Sequence, residues 1–249
     1  MGMVGAGMAA GPRLFVALDF PELGPAMACA RELAPLGVGF KLGLELFCRV
    51  GPQGVEALQR VTGPLFLDLK LHDIPRTVER AVRGLCGLGA WGVTLHATGG
   101  PVMLSAGVAA AREAEAAGRA GPAGRLRCLA VTVLTSLDEQ LLHALGVRSP
   151  LRAQVQHLVS LACAAGCDGA VASPLEAALV RSVAGPGRLV VTPGIRPAGA
   201  DAGDQARVAT PWAAVAAGAD CLVVGRPVTE AADPAAAVDA ILREMAGAA

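Results

Sequence analysis

Three charges are set into an otherwise apolar run in the segment Leu65-Phe66-Leu67-Asp68-Leu69-Lys70-Leu71-His72-Asp73. In an extended strand successive side chains point to opposite faces. Leu65, Leu67, Leu69 and Leu71 therefore share one face, and Phe66, Asp68 and Lys70 share the other. Setting a carboxylate and an ammonium side by side on an inner face costs several kcal/mol of desolvation unless they pair. Such a pair can merely fix strand register, or it can hold a proton donor beside a charge that tunes it. The choice of cation bears on this. The chain uses arginine 19 times and lysine twice, at Lys41 and Lys70. Where arginine is the default, a lysine marks a place that needs a compact, titratable ammonium rather than a planar fork.

Short β-branched or leucine-rich runs alternate with longer Ala/Leu/Arg helical patterns. Strands are expected at 14–19, 39–44, 64–70, 92–97, 127–134, 169–173, 189–193 and 221–225, with helices after them, as at 75–88, 101–117, 151–165 and 234–246. Strand and helix repeating every 25–30 residues is the pattern of βαβ units around a parallel sheet. Eight units in 249 residues, with no shift of composition between them, predict one (β/α)₈ TIM barrel over 13–249 behind a flexible leader at 1–12. The open alternative lacks a G-x-G-x-x-G after its first strand. Barrels do their chemistry at the C-terminal strand ends. Asp19, Lys41, Asp68 with Lys70, Thr135 with Ser136, and Arg226 all fall there.

These residues also carry a resemblance. Asp68-Leu-Lys70-Leu-His-Asp73-Ile74-Pro75-Arg76-Thr77 resembles the D-x-K-x-x-D-I-P-x-T signature of the orotidine 5′-phosphate decarboxylase family. The likeness covers nearly the whole chain from about residue 14. It takes in Ala17-Leu18-Asp19, Lys41, the strand-five motif ending Thr135-Ser136, Thr192-Pro193-Gly194-Ile195-Arg196-Pro197, Gly203-Asp204-Gln205 and Gly225-Arg226-Pro227. It implies a cofactor-independent, metal-free decarboxylation of orotidine 5′-monophosphate to uridine 5′-monophosphate, the last step of de novo UMP biosynthesis. It further implies a cytoplasmic homodimer. Lys41, Asp68, Lys70 and Asp73 would form a charge network under the pyrimidine, with Lys70 as proton donor to C6. Asp73, Ile74 and Thr77 would reach the neighbouring protomer's site. Asp19 and Lys41 would bind ribose hydroxyls, Thr135 and Ser136 would lie at the pyrimidine edge, and Pro193 would line the substrate. Gln205, Gly225 and Arg226 would hold the phosphate, with Arg196 nearby. Arg76 departs from the I-P-N-T that the family commonly carries, in a chain without any asparagine.

The loop 194–209 is long for a βα connection, rich in Gly, Ala and Pro, and framed by arginines, as a mobile lid over a phosphate should be. A metal-using sugar-phosphate barrel shares the strand-three pattern, but would need a carboxylate where Lys41 stands. A non-catalytic nucleotide sensor would not need two lysines and two aspartates crowded together. Zero net charge gives no electrostatic case for nucleic acid or an anionic membrane as partner. No apolar run approaches the roughly 20 residues of a membrane span, and the leader lacks the basic residues of a signal peptide. Seven scattered cysteines read as small core residues rather than as a disulfide or zinc framework. Trp91 and Trp212 read as packing, and His72, His96, His143 and His157 as satisfied polar groups.

Overall fold

The structure, a computed structural model, describes residues 12–197 and 208–247. Eight parallel strands close into a barrel: β1 (Leu14–Ala17), β2 (Gly39–Gly43), β3 (Phe66–Leu71), β4 (Gly92–His96), β5 (Arg127–Val131), β6 (Gly169–Val171), β7 (Leu189–Thr192) and β8 (Cys221–Val224). The ring closes where Phe15 of β1 pairs with Val223 of β8. The expected strands are all present; seven end one to three residues early, while β3 starts two residues later and runs one residue further than expected. Residues 132–134 leave β5 because β6, its partner, offers only three residues.

The helices between them are α1 (Leu23–Leu33), α2 (Leu44–Thr62), α3 (Pro75–Cys86), α4 (Gly100–Ala116), α5 (Glu139–Ala144), α6 (Leu151–Ala164), α7 (Ala177–Ala184), α8 (Pro211–Ala216), α9 (Arg226–Thr229) and α10 (Pro234–Met245). Their starts are written in sequence. Pro75, Pro211 and Pro234 open α3, α8 and α10, where a missing N–H costs nothing. Asp138 and Asp233 accept from the backbone N–H of Leu141 and Ala236 as N-caps. No helix among the described residues is long and apolar enough to cross a membrane.

Apolar residues form two layers. The larger lies between strands and helices and includes Leu67 and Leu69 of β3 and Val78, Val82 and Leu85 of α3. The smaller fills the barrel: Phe15, Phe66, Trp91, Leu129, Val191 and Val223. Phe15, Phe66 and Trp91 contact one another with ring centroids 4.7–5.5 Å apart, closing the end where the strands begin. Each fully buried phenylalanine contributes about 1.5–3 kcal/mol of hydrophobic stabilisation.

Two packing expectations are corrected. Trp212, at the start of α8, is 56% exposed rather than packed. Cys48 is exposed on α2, and Cys29 and Cys163 are only half-buried, while Cys86, Cys128, Cys167 and Cys221 are buried as expected. Burial pushes the Cys167 and Cys221 thiols up to about 12, so neither is a thiolate at neutral pH. Helical periodicity locates an apolar stripe but does not say how far a neighbour extends to cover it.

Candidate active site

The charges meet at the end of the barrel where the strands finish. Lys41 on β2 donates from Nζ to Asp19 Oδ1 at 2.9 Å. The same ammonium lies 3.6 Å from Asp68 Oδ2. Lys70 donates to that oxygen at 2.8 Å. The result is an alternating row, Asp19–Lys41–Asp68–Lys70, running from exposed carboxylate to half-exposed ammonium across a buried centre. Gly43 makes the row possible. A Cβ there would stand 3.0 Å from both Asp19 Oδ1 and Lys41 Nζ, inside the space the ion pair occupies.

The alternation argument brings Asp68 and Lys70 together, as expected, but the backbone reaches that result by another route. β3 is irregular: Leu67 pairs with Val93 and Leu71 with Leu95, so β3 takes four residue steps where β4 takes two. Within this bulge Lys70 has φ 48°, the one positive φ at a non-glycine among the described residues. A left-handed lysine costs about 1–2 kcal/mol. Such outliers gather where the surroundings over-determine a functional geometry.

Burial alone would raise the Asp68 carboxyl. The ammoniums of Lys41 and Lys70, with hydrogen bonds from Lys70 and Thr94, outweigh it and hold the group below the usual carboxylate range. Asp68 is thus a buried anion at neutral pH. Lys70 stands against it with one side turned to open space.

That space is a cavity of about 640 Å³. Asp19, Lys41, Asp68, Lys70, Thr135, Pro193, Arg196, Gly225 and Arg226 all line it, brought together from strands one, two, three, five, seven and eight. One flank is charged. Val131, Val133, Val171 and Val223 supply an apolar flank that the sequence reading did not identify. Their alternation in strands five, six and eight was the available signal. Glu45, in the first turn of α2, and Glu230 also line the cavity and were missed.

Other expected site residues lie elsewhere. Ser136 is exposed and does not line the cavity. Asp73, Ile74 and Thr77 are exposed on the turn into α3, away from this chain's own cavity, with Asp73 Oδ1 accepting from the Ile74 N–H at 2.7 Å. Arg76 beside them is exposed too. Gln205 lies outside the described residues, as do residues 198–207 of the expected lid. The base of that loop is closed by a bridge between Ile195 and Ala209, with the Arg196 N–H donating to Ala209 at 3.0 Å. His72 and His96 stack 5.3 Å apart at the ends of β3 and β4. Thr98 Oγ1 lies 2.8 Å from His96 Nδ1, so His96 is a satisfied polar group.

Comparison with known proteins agrees with this geometry. The family model described as "Orotidine 5'-phosphate decarboxylase / HUMPS family" matches residues 12–241. The orotidine 5′-phosphate decarboxylase of Halorhodospira halophila is 53% identical over 237 residues, covering 95% of this chain and 97% of the relative. That of Thermobifida fusca is 52% identical over 232 residues, covering 92% and 94%. Among solved structures, an orotidine 5′-phosphate decarboxylase from Lactobacillus acidophilus superposes with a TM-score of 0.79 at 36% identity, over 94% of this chain and 99% of that one. A closed barrel, a strand-three charge pair answered by a strand-two lysine, and a match over 230 residues point one way: the chain belongs to the orotidine 5′-phosphate decarboxylase / HUMPS family.

Proposed function

We infer that this barrel decarboxylates orotidine 5′-monophosphate to uridine 5′-monophosphate, the last step of UMP biosynthesis, as a carboxy-lyase that uses no cofactor. The observation that carries the reading is the Lys41–Asp68–Lys70 cluster, two ammoniums converging on one carboxylate oxygen at 3.6 and 2.8 Å. The names of close relatives agree with it.

Loss of CO₂ from C6 leaves the electron pair of the broken bond on that carbon, in an orbital outside the ring π-system. The protein must then supply positive charge and a proton. The Lys70 ammonium supplies both, facing the developing negative charge and then donating its proton to C6. Opposite charges 4 Å apart at an effective dielectric near 20 attract by roughly 4 kcal/mol. Typical enzymes lower barriers by roughly 8–23 kcal/mol, so the remainder falls to substrate binding and orientation. Asp68 also repels the substrate carboxylate, a contribution that ranks second because both lysines neutralise much of it.

Asp19 and Lys41 bind ribose hydroxyls. Thr135 meets the pyrimidine edge and Pro193 lines the substrate, whereas Ser136, exposed outside the cavity, takes no part in this chain's own site. Gln205, Gly225 and Arg226 hold the phosphate with Arg196 beside them, at the end of the barrel where phosphates commonly bind. Asp73, Ile74 and Thr77 complete the site of a second protomer. The homodimer is supported by their exposure and by Val102 on α4, Leu141 on α5 and Leu145 at the C-terminal cap of α5, apolar side chains that are also exposed. The enzyme works in the cytoplasm.

The family's description is broader than one reaction. A sugar-phosphate enzyme using Mg²⁺ would need an anionic ligand where Lys41 presents an ammonium. Mixing the protein with orotidine 5′-monophosphate, with and without EDTA, and following the ultraviolet change should show equal conversion in both. No conversion in either would sink the assignment, and conversion abolished by EDTA would favour the metal enzyme.

A further inference from the structure

Beneath the charged row lies a hydroxyl that none of the roles above uses. Thr94, in the middle of β4, is fully buried on the inner face, opposite the surplus residues of the β3 bulge. Its Oγ1 accepts from the backbone N–H of Lys70 at 2.8 Å. The same oxygen lies 3.0 Å from Asp68 Oδ1. A hydroxyl has one proton and two lone pairs. Because the amide already donates to the oxygen, the proton is the group free to go to the carboxylate.

The geometry points to Thr94 as a positioning residue for the proton donor, acting through both halves of the Asp68–Lys70 pair at once. It takes the Lys70 N–H that the bulge removes from the regular ladder, and so holds that residue at φ 48°. It also occupies Asp68 Oδ1, which leaves Oδ2 to receive Lys70 at 2.8 Å and Lys41 at 3.6 Å. Both ammoniums are thereby drawn to the cavity side of the carboxylate. Threonine suits the place for three physical reasons. It is β-branched and at home in a strand. It is small enough to sit inside a packed barrel. Its one oxygen can accept and donate in opposite directions. Valine has nearly the same shape and can do neither, so it would leave a buried N–H and a buried carboxylate oxygen each short of a partner.

This role rests on the reading of Lys70 as proton donor. The test is steady-state kinetics on orotidine 5′-monophosphate for the full chain and two variants, with melting temperatures measured alongside. Thr94→Val should lower kcat by about 10–100-fold, the range of one misplaced catalytic group. KM should stay within about threefold, because Thr94 is not among the residues that line the cavity. Thr94→Ser, which restores the hydroxyl, should recover kcat to within about threefold of the parent. A Thr94→Val protein with the parent's kcat would overturn the role. So would a KM that rises in step with the loss, or a Thr94→Ser as poor as Thr94→Val, since either would indicate general damage to the site. If Thr94→Val does not fold, Thr94→Ala gives the same readings. If neither folds, the hydroxyl serves the fold alone and the role is overturned. A parent chain that converts no substrate defeats the assigned reaction instead, and is told apart by that control.

Discussion

The two ends of the barrel both carry ion pairs, built from different cations. At the closed end, Arg125 grips Asp168 with both terminal nitrogens, one of them at 3.0 Å, and Asp168 Oδ2 also accepts from the Cys128 N–H at 2.8 Å. Arg181 pairs with Asp220 and caps the carbonyls of Gly185 and Arg188 at 2.7 and 2.8 Å, while Asp220 accepts from the Val190 N–H at 2.7 Å. Each aspartate there ties an arginine to the start of a neighbouring strand. At the open end the cations paired with Asp68 are Lys41 and Lys70, the carboxylate between them is buried, and one ammonium faces a cavity that Arg196 and Arg226 also line. A planar fork suits a permanent, multiply bonded clamp. A point charge that can lose a proton suits a reaction. The chain's single preference for arginine therefore breaks where the cation must do more than hold.

Exchanging the cation at the open end should give the largest effect. Lys70→Arg keeps the charge but is bulkier and stays protonated, so it should lower kcat by more than about 100-fold while the melting temperature stays within a few degrees. Activity above a few per cent of the parent would remove Lys70 as the donor, and with it the contrast between the two ends. The reciprocal change comes next. Asp168→Ala strips the carboxylate from Arg125 and from the Cys128 N–H, and should cost about 3 kcal/mol of stability. At this chain length that corresponds to a fall of about 6–12 °C in melting temperature. The kcat of the folded fraction should be unchanged, because neither Arg125, Asp168 nor Cys128 lines the cavity. A proportionate loss of kcat would mean that the two ends are coupled.

Much of this division was legible in the sequence, and the illegible part has one physical source. β1 to β8 follow from short apolar runs at regular spacing, which is local information. Lys41, Asp68 and Lys70 follow from rare residue types at strand ends. The bulge does not, because register depends on what β4 offers to β3, and that pairing is non-local. Alternation alone set Lys70 beside Asp68, yet it could not anticipate φ 48° or the hydroxyl that supports it. Thr94 was visible only as a polar residue inside an apolar strand, a weak signal until its partners are known. Asp73, Ile74 and Thr77 needed the family resemblance, since one chain's own cavity excludes them.

Acid should separate the ends again, with a smaller effect. Burial depresses the basicity of His96 at the open end, and the nearby charges of His72 and Lys70 depress it further. A histidine whose folded pKa lies below its unfolded value of about 6.5 contributes stability that is complete above that pH and lost as pH falls through the folded value. Asp68, held below the ordinary carboxylate range, contributes in the same direction at lower pH: its stabilisation is complete above about 3.9 and disappears as pH falls through its depressed value. Denaturant unfolding at pH 7.5 and again about one unit below the histidine value should therefore show lower stability in acid. His96→Gln, which cannot titrate, should reduce the difference. An unchanged difference would assign the acid sensitivity to another group.

The smallest expected effect belongs to the closed end. Arg127 lies over the Trp91 ring with its guanidinium carbon 5.0 Å from the centroid, and Nη1 reaches the carbonyl of Trp91 at 3.3 Å. Burial lowers its basicity while Asp168 raises it, so this arginine is partly desolvated against an aromatic floor. Arg127→Met keeps an aliphatic stem over the ring and discards the charge, which should cost about 1 kcal/mol and about 2–4 °C in melting temperature. The kcat should not move, because Trp91 and Phe66 separate Arg127 from the charged row. A change in kcat with so slight a change in stability would show that the aromatic plug transmits its position to Asp68 through β3. The closed end would then be part of the machinery that aligns the open one, rather than a separate clamp.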